Sequence, residues 1–253
     1  MRMEFKDTCV SLGGKEILRN VSLLAQPGKM TGIVGPNGCG KSTLLKTVFG
    51  IVPKQSGTLF IDGKNAAQMS KKEISSMIGY VGQDAACSFD FSVYDVVEMA
   101  LYNRKDKKKS SKIIVKEALE ELHISHMADR NIQTLSGGEK KMVFMARAIA
   151  QGVDTIILDE PTNHLDIKHQ LFILNYLKRS GKTILIVLHD LRLAVHYCDE
   201  LFVLKNGKNL YNGAPLEVLT PEHVHQVFEV EGKAYFDNYG KLDFYLGMDA
   251  CEE

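Results

Sequence analysis

The sequence predicts an α/β protein built on parallel strands with a helical subdomain inserted, and three observations carry that reading. Three short runs are apolar without alternation, the mark of strands buried on both faces: Met30-Thr31-Gly32-Ile33-Val34, Thr155-Ile156-Ile157-Leu158 and residues 183–188. Apolar residues at i, i+3, i+4, i+7 lie between them, in Val115, Ala118, Leu119 and Leu122 and again in Met142, Met145, Ala146 and Ile149, which is helical spacing. Residues 84–150 carry that periodicity and no convincing buried strand, so they read as the helical insertion. Strands alternating with helices gather ligands at the carboxyl ends of the strands. The division that follows is one domain over residues 1–253, with its core in residues 1–83 and 151–253.

Composition excludes several classes. Apolar residues make up 45% and charged residues 25% of 253, as in ordinary globular proteins. Lys plus Arg and Asp plus Glu are both 31, a balance that argues against nucleic-acid binding through bulk charge. The longest clean apolar run, Ile184-Leu185-Ile186-Val187-Leu188, is far below the roughly 20 residues of a membrane-spanning helix. Met1-Arg2-Met3-Glu4-Phe5-Lys6 lacks the apolar stretch of a secretory signal, so the chain is expected in the cytosol. The five cysteines (Cys9, Cys39, Cys87, Cys198, Cys251) are scattered with no C-x-x-C pair, and read as reduced thiols. The basic run at residues 104–109 reads as a solvated loop, with contact to lipid headgroups or a partner as the alternative. Beyond Asn206, the pairs Asn206-Gly207 and Asn212-Gly213 signal turns, and Ala234-Tyr235-Phe236-Asp237 alternates, which points to a small accessory strand region.

The most specific motif is Gly35-Pro36-Asn37-Gly38-Cys39-Gly40-Lys41-Ser42, between an expected strand and the helix-compatible run Thr43-Leu44-Leu45-Lys46. Glycines at 35, 38 and 40 let successive backbone N–H groups turn inward, and the following helix N-terminus adds partial positive charge for phosphate oxygens. Lys41 then sits against the β- and γ-phosphates and Ser42 ligates Mg²⁺. A glycine turn capping a helix would explain the glycines but not Lys-Ser at that offset. Cys39 stands among electropositive neighbours, which favours a thiolate and predicts sensitivity to alkylation.

Asp159 and Glu160 follow a buried strand directly. Asp159 suits Mg²⁺ and Glu160 the water that attacks the γ-phosphate, with an ion-pairing or capping pair as the bland alternative. Leu135-Ser136-Gly137-Gly138-Glu139 before an amphipathic helix reads as a second helix N-terminus, hence a cap or an anion site.

Together, residues 35–42, Gln83, Leu135 to Glu139, Asp159-Glu160, Asn163-His164-Leu165-Asp166 and His189 resemble the motif series of the ABC ATPase family, in order and over nearly the whole chain. The resemblance implies the ABC ATPase fold: a P-loop NTPase (RecA-like) core with an inserted helical subdomain and a small antiparallel β subdomain. It implies ATP and Mg²⁺ as cofactors. Residues 35–43, among them Gly35, Pro36, Asn37, Gly38, Cys39, Gly40, Lys41, Ser42 and Thr43, would hold ATP. Ser136, Gly137, Gly138 and Asp166 of a second, head-to-tail subunit, identical or similar, would complete the site. Gln83 would touch Mg²⁺ or the attacking water beside Ser42 and Asp159. His189 would contact the γ-phosphate and steady Glu160, so that Glu160, His189, Gln83 and Lys41 form the catalytic set.

The family's transporters further imply polytopic permease subunits as partners, with residues 84–103 lining the groove that receives them. They also imply a substrate-binding protein acting indirectly, no nucleic acid, and a peripheral place on the cytoplasmic face of the membrane. Within the family the chain looks most like importers of iron–siderophore complexes, haem and cobalamin, from residues 35–46, Pro53 to Gly63, Gly213-Ala214-Pro215, Leu219-Thr220-Pro221 and Val227-Phe228. A soluble mechanochemical ATPase and a module that holds ATP without turnover are the competing readings. The first fits poorly with one cassette and no heptads, and the second with the presence of Glu160 and His189. The sequence departs from the family pattern in two places. Leu12 stands where an aromatic residue stacks on adenine, and Glu139, Lys141 and Met142 replace the Gln, Gln and Arg of many members.

Overall fold

The computed structural model describes residues 1–83, 90–104 and 109–247. In chain order the elements are β1 (Met3–Leu12), β2 (Lys15–Ala25), β3 (Met30–Val34), α1 (Lys41–Val48), β4 (Ser56–Ile61), β5 (Lys64–Asn65), α2 (Lys71–Met77), β6 (Ile78–Val81), α3 (Val93–Glu98), α4 (Ser111–Glu121) and α5 (Gly137–Ala150). They continue with β7 (Thr155–Asp159), α6 (Ile167–Arg179), β8 (Thr183–Val187), α7 (Leu191–Tyr197), β9 (Glu200–Lys205), β10 (Lys208–Gly213), α8 (Pro215–Val218), α9 (Pro221–Phe228), β11 (Glu231–Phe236) and β12 (Leu242–Gly247). Two compact units result, Met1–Gln68 with Leu177–Glu253, and Met69–Tyr176.

In the first unit, β3 pairs in parallel with β8 and with β9, and β10 returns antiparallel along β9. Every residue of β3 and of β8 is buried, as their unbroken apolar runs require. A separate antiparallel sheet runs β2-β1-β4-β5, with Met3, Phe5, Leu18, Leu23, Leu59 and Ile61 in its core. The turn joining β9 to β10 is Asn206-Gly207, with φ of 51° and 75°, the paired positive angles of a two-residue hairpin turn. Asn212-Gly213 is not a turn: both residues extend β10, paired with Phe202 and Leu201, because the ladder outlasts the turn-forming dipeptide. The terminal strand region is a second hairpin, β11 on β12, with Phe244 buried.

In the second unit, β6 and β7 pair in parallel and α5 packs against β6, α3 and α4. Three of its helices open on a reciprocal capping box: Ser70 with Glu73, Ser92 with Asp95, and Ser136 with Glu139. The expected stripe on α4 is buried at Val115, Ala118 and Leu119. That on α5 is wider than expected: Lys141, Met142, Val143, Met145, Ala146, Ala148 and Ala150 are all buried, so the helix is enclosed over most of its circumference. Arg104 is not a solvated loop residue. Its Nη1 donates to the carbonyl of Ala150 at 2.6 Å, which satisfies an orphan acceptor at the end of α5. Lys109 pairs with Glu117 at 2.7 Å, and the four lysine and aspartate positions between lie outside the described residues. Among the described residues no helix is long and apolar enough to cross a membrane.

Candidate functional site

In the first unit, two loops leave the carboxyl ends of adjacent parallel strands. Ile33 lies opposite Val187 in the β3–β8 register, so Gly35 and His189 emerge at the same height. The glycine loop is shaped by its backbone. Gly35, Gly38 and Gly40 have φ of 150°, 75° and 108°, and a side chain on Gly35 would overlap the carbonyl oxygen of Leu204. Gly40 caps α1 with no side-chain hydrogen bond, and the start of that helix carries the partial positive charge that suits a phosphate. Lys41 is buried and folds back over the loop, its Nζ donating to the carbonyls of Gly35 at 2.7 Å and Pro36 at 3.0 Å. The loop is tied from behind, where the N–H of Gly207 donates to the carbonyl of Cys39 at 3.2 Å.

The expected thiolate at Cys39 is a correction. Its side chain is buried, and that loss of solvent pushes the thiol above its ordinary range, although Lys41 Nζ lies 4.0 Å from Sγ and acts in the opposite sense. Sensitivity to alkylation is withdrawn with it. Leu12 is 42% exposed at the end of β1, next to the turn that leads into β2. His189 is exposed, and Asp190 beside it caps α7 by accepting from the N–H groups of Arg192 and Leu193. With Arg192, Phe228, Val230, Phe244 and Leu246, His189 lines an open cavity of about 550 Å³.

The second unit repeats the strand-end logic with side chains in place of bare backbone. Val81 lies opposite Leu158 in the β6–β7 register, so Gln83 and Glu160 stand side by side two residues further on. Asp159 ends β7 fully buried. Glu160 turns out of the strand with φ of 53°, a left-handed conformation uncommon for a non-glycine residue, and only 6% of it is exposed. Its Oε2 accepts from Gln83 Nε2 at 3.0 Å and from Asn163 Nδ2 at 2.6 Å. The structure thus brings Gln83 and Glu160 together and adds Asn163, to which no role fell in the sequence. Its position three residues after Glu160, in a turn, was the available signal.

At the start of α5, Ser136 Oγ accepts from the Glu139 N–H at 3.3 Å, and Glu139 Oε2 from the Ser136 N–H at 2.7 Å. Those backbone and hydroxyl hydrogen bonds, with Arg130 at 3.1 Å, hold the Glu139 carboxyl below the usual range. Gly138 comes so close to the neighbouring loop that a Cβ there would lie 2.9 Å from the His164 carbonyl oxygen. Ser136, Gly138, His164, Asp166 and His169 line a cavity of about 500 Å³. Asp166 Oδ1 accepts from the His169 N–H at 2.8 Å, which chiefly holds its carboxyl down, and faces His169 Nδ1 at the same distance. Of residues 84–103, those from 84 to 89 lie outside the described residues.

A glycine loop between a buried parallel strand and a helix N-terminus, with Asp-Glu at the end of another buried strand, defines the class of phosphate-loop nucleoside triphosphatases. The chain belongs to the ABC transporter family, whose model matches residues 18–163. It is 35% identical over 241 residues to the iron(3+)-hydroxamate import ATP-binding protein FhuC of Bacillus subtilis, covering 90% of this chain and 88% of that one. It is 36% identical over 235 residues to the cobalamin import ATP-binding protein BtuD of Halobacterium salinarum, covering 90% and 59% respectively. Among solved structures it superposes on CbiO1 of Clostridium perfringens, part of the ABC transporter complex CbiONQ, with a TM-score of 0.75, 31% identity and coverage of 88% and 92%. As a member of this family the chain binds ATP, and its hydrolysis is coupled to transport.

Proposed function

We propose that this chain powers an importer of the iron–siderophore, haem or cobalamin group, acting as a peripheral subunit on the cytoplasmic face beneath polytopic permease subunits. The import roles of its relatives support this, over a soluble mechanochemical ATPase. A substrate-binding protein would deliver cargo to the permease, with no role for nucleic acid.

The observation that carries the chemistry is Glu160, a nearly buried carboxylate in a left-handed conformation, gripped at one oxygen by Gln83 and Asn163. Held in this way, the carboxylate keeps one orientation in which to orient and deprotonate the attacking water. Lys41 and the amides of residues 35–43 take the phosphates, Lys41 exchanging loop carbonyls for phosphate oxygens. Asp159, Ser42 and Gln83 offer a carboxylate, a hydroxyl and an amide oxygen, few and hard donors of the kind suited to Mg²⁺, which keeps waters and phosphate oxygens as its remaining ligands. When bound, Mg²⁺ neutralises charge on the phosphates. His189 steadies the reacting end. Ser136, Gly137, Gly138 and Asp166 of a second subunit close over the nucleotide, so that hydrolysis and reopening alternate with transport.

Affinity purification of the chain from solubilised membranes tests the assignment. A polytopic membrane protein recovered in two-to-two ratio is the expected result; recovery with ribosomes, or as a lone soluble species, would sink it.

A further inference from the structure

Helix α5 carries a lysine where the helix is enclosed. Lys141 is 3% exposed, and lysine is almost never buried to that degree unless its ammonium is paired. Its Nζ donates to two successive backbone carbonyls, those of Gly82 and Gln83, each at 3.2 Å. Gln83 in turn donates from Nε2 to Glu160 Oε2 at 3.0 Å, and Asn163 holds the same oxygen from the other side. A continuous path therefore runs from Ser136, the cap of α5, along one turn of helix to Lys141, through the main chain of residues 82–83, and through the Gln83 amide to Glu160.

We propose that Lys141 is a positioning residue for hydrolysis, its ammonium fixing the main chain of residues 82–83 so that the Gln83 amide stays aimed at Glu160. The ammonium has left water and is compensated by those two carbonyls, so the contact is one the lysine holds firmly. Packing around α5 restricts its stem, so the lysine ties residues 82–83 to that helix. The orientation of the Gln83 amide follows: with Nε2 committed to Glu160, Oε1 is the atom it presents elsewhere. The inference rests on the proposed roles of Gln83 and Glu160.

The test is steady-state ATP turnover by the full chain carrying Lys141→Met, Lys141→Arg, Gln83→Ala, or Lys141→Met with Gln83→Ala. Lys141→Met keeps the volume and removes the donors. It is expected to lower kcat about tenfold with KM for ATP within about twofold, and Lys141→Arg to recover most of the loss. In the double variant the second change is expected to cost nothing further, because both act through one amide. Turnover within about twofold of the parent in Lys141→Met, or losses that multiply in the double variant, overturns the proposal. Loss in Lys141→Met with none in Gln83→Ala overturns the route through Gln83 and removes Gln83 from its own proposed role. Loss in Gln83→Ala with none in Lys141→Met overturns the Lys141 proposal alone. Should Lys141→Met fail to fold, Lys141→Leu removes the same donors and carries the same test: a loss confined to kcat supports the tether, parental turnover overturns it.

Discussion

The glycine loop of the first unit and the carboxylate cluster of the second both sit past the ends of buried parallel strands, yet they are held in different ways. Residues 35–40 are shaped by the main chain: positive φ at three glycines, a space at Gly35 closed by the Leu204 carbonyl, and a helix start with no side-chain cap. Glu160 is shaped by side chains, with Gln83 and Asn163 converging on one oxygen and Lys141 holding Gln83 from behind. A site for phosphate needs many weak donors in fixed array, which backbone supplies. A site that moves a proton needs one group held in one orientation, which takes partners reaching in from elsewhere in the chain.

The contrast is broken most sharply at its two centres. Glu160→Gln preserves shape and the hydrogen bonds available to Oε2 but removes the base, and is expected to lower turnover by roughly 10²–10⁴ while ATP binding and Tm hold. Phosphate release and nucleotide binding measured on the same sample check it; unchanged turnover would remove Glu160 from its role. Gly35→Ala should act in the opposite manner, on the fold and on binding together. Its new methyl meets backbone that cannot yield, in a conformation L residues rarely adopt, and the expected cost is about 3 kcal/mol or more. Gly38→Ala, at a position with nothing near a new Cβ, should cost only the left-handed backbone penalty of about 1–2 kcal/mol. Urea unfolding of the two variants decides whether the loop is set by main-chain space, as argued, or by glycine content alone.

How much was legible in the sequence follows the same division. The strands β3, β7 and β8, the helix stripes and the glycine loop were readable because backbone geometry and burial leave local marks: an unbroken apolar run, a period of 3.6, a glycine at a positive φ. Gln83 entered the site only through resemblance, as a contact for Mg²⁺ or the attacking water, and its hydrogen bond to Glu160 was not expected. Lys141 was noticed as a departure from the family pattern without its target, since 58 residues separate it from Gln83 and only the fold brings them together. Asn163 went unassigned because a side-chain amide in a turn has many uses. Cys39 was misread for a physical reason: its charged neighbours are visible in the sequence, whereas its burial, the larger influence, is not. Asn212-Gly213 failed because turn propensity yields to an available strand partner.

Two smaller effects sharpen the comparison. Asn163→Ala removes a side-chain donor from Glu160 Oε2, and turnover is expected to fall about tenfold with KM for ATP unchanged. Equal turnover would show that the Asn163 amide is not needed to hold the carboxylate.

The smallest effect lies in the glycine-loop unit and concerns protons it refuses to release. Burial raises both Cys39 and Cys198, the latter to about 12 from an ordinary 9.0, with Lys178 opposing and Asp199 adding to the shift. Above pH 9 the unfolded chain gives up these protons while the folded chain keeps them, so the unfolded state binds fewer, and stability falls as pH rises. The loss should run from about pH 9 towards 12, with full stability from these groups below it. Cys198→Ala should flatten the alkaline decline in Tm strongly and Cys39→Ala weakly, because Cys39 has Lys41 beside it to ease ionisation. If Cys39→Ala flattened it as much as Cys198→Ala, the lysine would be exerting no pull on the thiol. Its ammonium would then be fully committed to the carbonyls of Gly35 and Pro36, and the glycine loop would be held by backbone contacts alone.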